Sequence, residues 1–149
     1  MTQKPQESKQ PDFSELLETI KDYKVLVIGD GIIDEYCYVT PLGKSPKEHI
    51  IATQYQNKET FRGGVWAAAK HIEGFCKTVN VESGFMATTK RRFVDVESLR
   101  KLFEVHEQSL QGIPLTQPSL EDYDLVVVTD FGHGCLTQPG IEWLSRDAK

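Results

Sequence analysis

The sequence predicts an α/β fold in which a mostly parallel central sheet with flanking helices carries a small antiparallel β arm. Two largely apolar segments, residues 24–28 and 125–129, have apolar side chains on both faces. That pattern is typical of central strands in a parallel sheet covered by helices. Between them lie short segments of β-branched and aromatic residues that alternate in part, which indicates an antiparallel arm.

The first element is predicted to be a helix that begins after Asp12. Asp12 is a favourable N-cap residue, and Glu15 stands three positions later, where a capping box places its second member. Apolar residues then recur at helical spacing on one face: Phe13, Leu16, Leu17 and Ile20. Residues 1–11 are rich in Gln, Lys and Pro and have nothing to bury, so they are predicted to be a disordered tail.

The antiparallel arm is predicted from residues 36–40 and 49–55, which are separated by a turn region at residues 41–46. Two consecutive glycines, Gly63-Gly64, then precede an Ala-rich segment, residues 65–72. That segment has the composition of a compact helix, and a glycine two residues beyond it is a typical helix stop.

The second half of the chain is predicted to contain one short strand, two helices and a loop. Apolar residues mark the strand: Val79, Val81 and Phe85. Residues 95–108 carry apolar side chains at i, i+3, i+6 and i+7, which favours a helix. Residues 112–119 form a Pro-bearing loop, and the last helix begins near Thr137, with Pro139 in its first turn.

Composition excludes several classes of protein. The chain has 149 residues, of which 39% are hydrophobic and 26% charged, so residues 12–149 are predicted to form a single globular domain. A net charge of −5 argues against nucleic acid or an anionic membrane surface as a partner. The apolar runs are too short to span a bilayer, and residues 1–11 have no apolar segment of the kind found in signal peptides.

The three cysteines, Cys37, Cys76 and Cys135, contain no CxxC pair. An odd number of cysteines in a chain without a secretion signal indicates reduced thiols and a cytoplasmic protein. The simplest role for all three is that of small packed apolar residues.

Two aspartates that follow predicted strands are the first candidates for a site. Asp30 follows residues 24–28, and Asp130 follows residues 125–129. Because ligands of open α/β sheets bind at the carboxyl ends of strands, the pair predicts contacts with sugar hydroxyls or with a metal-bound phosphate. The alternative is that both residues only cap turns. A dinucleotide-binding motif is excluded, because Asp34 stands where its third glycine would be.

A second group of candidates is formed by glycines and basic residues. Gly63 and Gly64 expose backbone N–H groups before a helix, which suits a hydroxyl-rich or anionic ligand, although a plain turn would have the same sequence. The basic cluster at residues 90–92 either neutralises a phosphate or forms a solvated strand edge. Of the four histidines, only His133 is placed near a site, and their spacing predicts no metal centre.

Taken in order along the chain, several of these segments resemble the N-terminal half of the ribokinase-like sugar kinases, also called the PfkB family. The segments are Gly29-Asp30, Asp34-Glu35-Tyr36, Ser45-Pro46-Lys47-Glu48, Gly63-Gly64, Thr89-Lys90-Arg91-Arg92-Phe93 and Thr129-Asp130-Phe131-Gly132-His133-Gly134. The resemblance runs from about Lys24 to the last residue. It is nearest to the heptose-phosphate kinase branch of ADP-heptose synthesis.

The resemblance implies a partial ribokinase-like domain in which residues 36–61 form a β-lid that closes over the sugar and often pairs two subunits. It implies that Lys90 and Arg92 lie near the sugar or its phosphate and that Asp130 and Gly132 lie under the site. The full set of implied substrate contacts is Asp34, Gly63, Gly64, Lys90, Arg92, Asp130 and Gly132. It also offers a strand for residues 99–105, where periodicity favours a helix. The complete enzymes of the family use ATP and Mg²⁺ to phosphorylate a sugar hydroxyl.

Three departures from the family pattern affect the functional prediction. Ala67 stands where relatives usually place a sugar-contacting Asn, and residues 76–88 are shorter than the strand–helix unit found there in relatives. The sequence contains no Gly-Ala-Gly-Asp motif, which in the family supplies the anion hole and the catalytic base. Phosphoryl transfer needs donor, acceptor and metal in line, so we expect this chain alone to use neither ATP nor Mg²⁺. It would then be a fragment, a subunit completed by another chain, or a relic kept for binding.

Three functions remain open on the sequence. The first is the sugar-binding portion of a carbohydrate kinase, with a sugar or sugar phosphate as ligand. The second is a non-catalytic binding or assembly module whose arm pairs with another chain. The third is an enzyme that uses Asp30 and Asp130 with Mg²⁺, such as a phosphatase, although the spaced pair of acids that such enzymes need is missing.

A two-stranded arm cannot bury its own aromatic and β-branched residues, so the arm is predicted to form a homodimer.

Overall fold

The structure is a computed structural model that describes residues 12–84, 88–108 and 116–148. The described residues form three α-helices and seven strands: α1 (Phe13–Ile20), β1 (Lys24–Gly29), β2 (Gly31–Lys44), β3 (Ile51–Gly64), α2 (Val65–Ile72), β4 (Thr78–Glu82), β5 (Thr88–Asp95), β6 (Lys101–Glu107), β7 (Leu125–Thr129) and α3 (Gln138–Asp147). The predicted tail, Phe85 and part of the predicted Pro-bearing loop lie outside the described residues.

The strands β4, β1 and β7 form, in that order, a parallel sheet that we call the core sheet. Val25 and Val27 of β1 pack with α2 on one face. Leu26 and Ile28 pack with Trp143 of α3 on the other face. Burial on both faces explains why β1 is apolar at successive positions, and the predicted parallel pairing of residues 24–28 with residues 125–129 is confirmed.

The other four strands form a mixed sheet with the order β3-β2-β5-β6, which we call the arm sheet. Strand β2 is antiparallel to β3 and parallel to β5, and β5 is antiparallel to β6. The predicted antiparallel arm is therefore present, but its two strands extend beyond residues 36–61. The chain passes from β1 to β2 with Asp30 alone between them, and pairing already begins between Gly31 and Gly64.

The prediction of a helix over residues 95–108 is wrong. Lys101–Glu107 form strand β6, which is close to the strand that the family resemblance implied for residues 99–105. The chain reverses through a turn in which the Asp95 carboxylate accepts hydrogen bonds from the Glu97 N–H and the Ser98 hydroxyl. It returns as β6, where Phe103 stacks on Phe93 with ring centroids 4.4 Å apart. Such cross-strand contacts override a helical pattern in the sequence.

The two terminal helices begin where the sequence predicts. The Asp12 carboxylate accepts a hydrogen bond from the Ser14 N–H at 3.1 Å, and Thr137 caps α3 through the Gly140 N–H at 3.4 Å. Within the described ranges, no helix has the length and apolarity needed to cross a bilayer.

The three cysteines are free thiols. Cys37 and Cys76 are buried, and Cys135 is half-buried. Burial, with a contribution from the Asp30 charge, raises the pKa of Cys135 to about 11. The burial of Cys37 and Cys76 agrees with the packing role predicted for the cysteines.

One face of the arm sheet is crossed by a network of ion pairs centred on Glu35, whose side chain is 10% exposed. Its two oxygens accept hydrogen bonds from Lys58 Nζ and Arg91 Nε, both at 2.6 Å. Arg91 also donates to Glu107 at 2.6 Å, so the network joins all four strands. The hydrogen bonds from Lys58 and then Arg91 lower the pKa of Glu35. Arg91 thus lies within the sheet rather than at a solvated edge.

We expect Glu35→Gln to lower the free energy of unfolding at pH 7 by about 2 kcal/mol, because two hydrogen bonds to a charged acceptor are weakened. The pKa of Glu35 is lower in the folded chain than in the unfolded chain. Its contribution is therefore present above the unfolded pKa and is lost as the pH falls through the folded pKa. Urea unfolding at pH 7 and at pH 3 should show the gap between wild type and variant narrowing at the lower pH. A gap of constant size would contradict the assigned ionisation.

Candidate functional site

The opposite face of the arm sheet carries half of the residues that the sequence marks as ligand contacts. Side chains alternate between the two faces along a strand, so Asp34 and Tyr36 of β2 lie on the face opposite to Glu35. The parallel register places Lys90 beside Asp34, and Arg92 beside Tyr36. We call this surface the Asp34 face.

Asp34 and Arg92 form an ion pair in which the Arg92 Nη1 group donates to Asp34 Oδ1. The two side chains are only 23% and 15% exposed, so the pair is partly shielded from water. The hydrogen bond to Asp34 raises the pKa of Arg92. The Arg92 guanidinium also lies 5.4 Å from the centre of the Tyr36 ring. Asp34 therefore lies within strand β2, where Arg92 fixes its side chain, and it does not cap a turn.

The two adjacent glycines are required for different reasons. A Cβ atom on Gly63 would lie 2.5 Å from Asp34 Oδ2, so glycine at this position leaves room for the carboxylate. Gly64 has a φ of 60°, and a Cβ atom there would collide with the carbonyl oxygen of Asp30. Gly63 therefore belongs to the Asp34 face, whereas Gly64 serves the junction between β3, α2 and β1.

Lys90 is the remaining basic residue of the Asp34 face. It is partly buried, and in the register of the sheet it stands between Asp34 of β2 and His106 of β6. Within residues 12–84, 88–108 and 116–148, its ammonium group makes no hydrogen bond and no ion pair. The Asp34 face therefore combines a carboxylate acceptor with a cation that is available to an anionic ligand.

Asp30 occupies a different position, at the carboxyl end of the core sheet. It is 3% exposed, and its carboxylate accepts hydrogen bonds from the backbone N–H groups of Phe131 at 2.8 Å, His133 at 3.2 Å and Cys135 at 2.9 Å. These contacts organise the loop that follows β7. They are the turn-capping contacts named above as the alternative to ligand binding.

The backbone of Asp30 makes two further connections. Its N–H donates to the Thr129 carbonyl at 3.2 Å, and its carbonyl accepts from the Val65 N–H at 2.9 Å. One residue thus ties the end of β1 to the end of β7 and to the first turn of α2.

Asp130 and Gly132 form a small turn in the same loop. Asp130 is exposed, and its Oδ1 atom accepts a hydrogen bond from the Gly132 N–H at 2.8 Å. His133 contacts the arm sheet, because its Nδ1 atom lies 2.9 Å from the Gln108 amide nitrogen. The predicted residues therefore fall into two groups, one on the Asp34 face and one around Asp30, and the short link from Asp30 to β2 joins them.

The residues around Asp30 do not fit a Mg²⁺ ion. The Asp30 carboxylate is already occupied by three N–H groups. In the described part of the chain, His, Cys, Asp and Glu side chains form no group of three that could hold a metal ion.

Sequence reasoning did not identify some residues that the structure places around the Asp34 face. Phe61 of β3 meets the Tyr36 ring edge-on with centroids 5.8 Å apart, and Glu104 of β6 lies 3.4 Å from Arg92 Nε. Glu104 was not recognised because its segment was predicted to be a helix, and its position beside Arg92 follows only from the register of β5 and β6. Ala67, one of the departures from the family, lines a groove of about 450 Å³ beside the Trp66 ring.

No protein-family model and no curated protein sequence matches the chain. Among solved structures, the chain is similar to a ribokinase from Thermotoga maritima, with a TM-score of 0.39 and 12% identity over 70% of this chain and 44% of that one. It is similar to a carbohydrate kinase from Agrobacterium tumefaciens, with a TM-score of 0.32 and 12% identity over 57% of this chain and 35% of that one. The likeness to ribokinases and sugar kinases is one of fold, and this chain spans less than half of each of these structures.

We expect Asp30→Ala to destabilise the protein by about 3 kcal/mol or more, because three backbone N–H groups lose a buried, charged acceptor. Asp130→Ala is the matched control, since it removes one exposed turn contact and should cost no more than about 1 kcal/mol. Urea unfolding midpoints measure both changes. Equal effects of the two substitutions would show that Asp30 does not organise the loop.

Proposed function

We propose that this chain is the sugar-binding portion of a carbohydrate kinase and that the Asp34 face binds a sugar phosphate. The observation that carries the proposal is the arrangement of Asp34, which lies over Gly63, is held by Arg92 and has beside it the Lys90 ammonium, which has no partner among the described residues. In this proposal the phosphoryl donor ATP and Mg²⁺ belong to the complete enzyme.

The chemistry of the face suits a polyol that carries an anionic group. A carboxylate accepts hydrogen bonds from two neighbouring hydroxyls, and charge assistance strengthens both. The glycine at position 63 leaves the backbone close to that carboxylate, so position 63 places no side chain against it. Lys90 supplies a compact positive charge for a phosphate. Tyr36 and Phe61 add an aromatic surface of the kind that commonly lines small-molecule sites.

A heptose phosphate is the specific substrate that we propose within this class. The support is the family resemblance of the segments on β2, β5 and the loop after β7, together with the basic residues of the Asp34 face. We also propose a cytoplasmic location, because the three thiols are free.

A second candidate function, assembly with another chain, is favoured by the outer edge of the core sheet. Strand β7 lies at that edge within the described residues, and its sequence Leu-Val-Val-Val-Thr contains no charge. Leu125 and Val128 are 44% and 45% exposed. Natural edge strands usually carry charged residues or bulges that block further pairing. Because β7 is apolar and carries no charged residue, its edge is suited to pairing with an additional strand.

We further propose a homodimer formed through the arm. The end of the β2–β3 hairpin exposes Leu42, Ile50 and Ile51, each at 60% or more, around a small apolar hollow of about 350 Å³. Contiguous apolar surface of this kind usually marks an interaction site. A second copy of the same hairpin offers matching apolar surface.

We expect Asp34→Asn to weaken binding of a sugar phosphate tenfold to a hundredfold, because the ligand loses a charged acceptor. Isothermal titration calorimetry with heptose 7-phosphate and glucose 6-phosphate measures the affinities. Glu35→Gln is the matched control, since it disturbs a neighbouring ion pair on the opposite face and should leave affinity unchanged. Melting temperatures separate loss of stability from loss of binding.

Failure of the wild-type chain to bind any sugar or sugar phosphate at millimolar concentration would refute the site. The assembly function would then replace it.

We expect the wild-type chain to sediment as a dimer and Ile50→Lys to sediment as a monomer, because a charge at the hairpin end opposes burial of that surface. Phe13→Lys is the control, since Phe13 is at least as exposed as Ile50, at 72% against 60%, but lies on α1. A monomeric wild type at high concentration would contradict the proposed dimer, and so would a variant at position 50 that remains dimeric.

A further inference from the structure

We propose that Glu104 and His106 determine how strongly the Asp34 face binds an anionic group, with Glu104 acting as a competing counter-ion for Arg92 and His106 as the residue that withdraws it. The proposal rests on the proposed function of the Asp34 face. The observation behind it is a row of polar contacts that crosses three strands, from His106 and Glu104 on β6 through Arg92 on β5 to Asp34 on β2.

The contacts along this row differ in strength. Arg92 is joined to Asp34 by a short hydrogen bond through Nη1. Its Nε atom is buried and makes no hydrogen bond to the described residues, although Glu104 Oε2 forms an ion pair with it at 3.4 Å. Glu104 is closer to His106, with Oε1 at 2.8 Å from Nε2. Glu104 is therefore shared between the Arg92 guanidinium and the His106 imidazole, and its contact with Arg92 is the longer of the two.

A guanidinium carries five donors in a rigid plane and binds phosphate best when its donors are free. At present Asp34 uses one donor of Arg92, and the Glu104 charge partly neutralises the group. The contact with His106 lowers the pKa of Glu104, so Glu104 is charged at neutral pH. A carboxylate in this place competes with a ligand phosphate for Arg92.

Protonation of His106 changes this balance. Histidine ordinarily titrates near pH 6.5. The charged groups that face His106 are Glu104 on its own strand, and Lys90 and Arg92 on β5. A protonated His106 attracts Glu104 more strongly and draws it from Arg92, and it adds a positive charge beside Lys90. The Asp34 face then becomes more favourable for an anion, so a sugar phosphate binds more tightly at pH 6 than at pH 8, relative to a chain without His106.

The test uses calorimetry with glucose 6-phosphate and with glucose, at pH 6 and pH 8, on the full chain. Glu104→Gln should bind glucose 6-phosphate about threefold to tenfold more tightly than wild type at pH 8. His106→Asn should match wild type at pH 8 and bind less tightly at pH 6. The phosphate of the ligand titrates identically for every variant, so the comparison between variants isolates His106. Affinity for glucose should change little, because glucose carries no charge.

Glu107→Gln is the matched control, since Glu107 is on the same strand but pairs with Arg91 on the other face. It should behave as wild type. Equal pH dependence in wild type and His106→Asn overturns the inference, as does an effect of Glu107→Gln as large as that of Glu104→Gln. Should either Glu104→Gln or His106→Asn fail to fold, the other variant decides the outcome. A wild type that binds glucose 6-phosphate with the same pH dependence as His106→Asn refutes this inference alone. A wild type that binds neither glucose 6-phosphate nor glucose refutes the proposed function as well.

Discussion

The buried carboxylate of Asp30 is the constraint on which the arrangement of this protein depends. It accepts three backbone hydrogen bonds from the loop after β7, a segment about a hundred positions later in the chain. A loop with unsatisfied N–H groups at a buried position is costly, and one charged acceptor satisfies three of them. The same residue bonds through its backbone to β7 and α2. Two strands, one helix and one loop therefore meet at a single residue.

This junction sets the position of the arm sheet. Only Asp30 separates β1 from β2, so the arm sheet leaves the core sheet without a flexible linker. The last residue of β3, Gly64, must pass close to the Asp30 carbonyl, which requires its positive φ. Asp34, four positions after Asp30, is consequently fixed relative to the core sheet. A binding face built in this way is positioned by the core rather than by a mobile loop.

The two faces of the arm sheet use the same kinds of residue for different purposes. On one face, Glu35 satisfies both oxygens with Lys58 and Arg91, which leaves a closed network. On the other, Asp34 and Arg92 are paired while Lys90 has no partner among the described residues, and one nitrogen of Arg92 makes no hydrogen bond. Adjacent arginines in the sequence thus belong to different networks, because the strand alternates its side chains between the two faces.

The sequence by itself determined the core sheet, α2, the caps of the terminal helices and the antiparallel nature of the arm. These depend on local patterns, namely continuous apolar strands, the Gly63-Gly64 pair, and the caps at Asp12 and Thr137. Through the family resemblance it also marked Asp34, Gly63, Gly64, Lys90 and Arg92 as a group, of which all but Gly64 lie on the Asp34 face. Tertiary structure alone decided that residues 101–107 form a strand and that Glu104 faces Arg92, because an edge strand is stabilised by its neighbour. It also decided that Asp30 caps a distant loop, since which N–H groups a carboxylate satisfies depends on chain segments far apart in sequence.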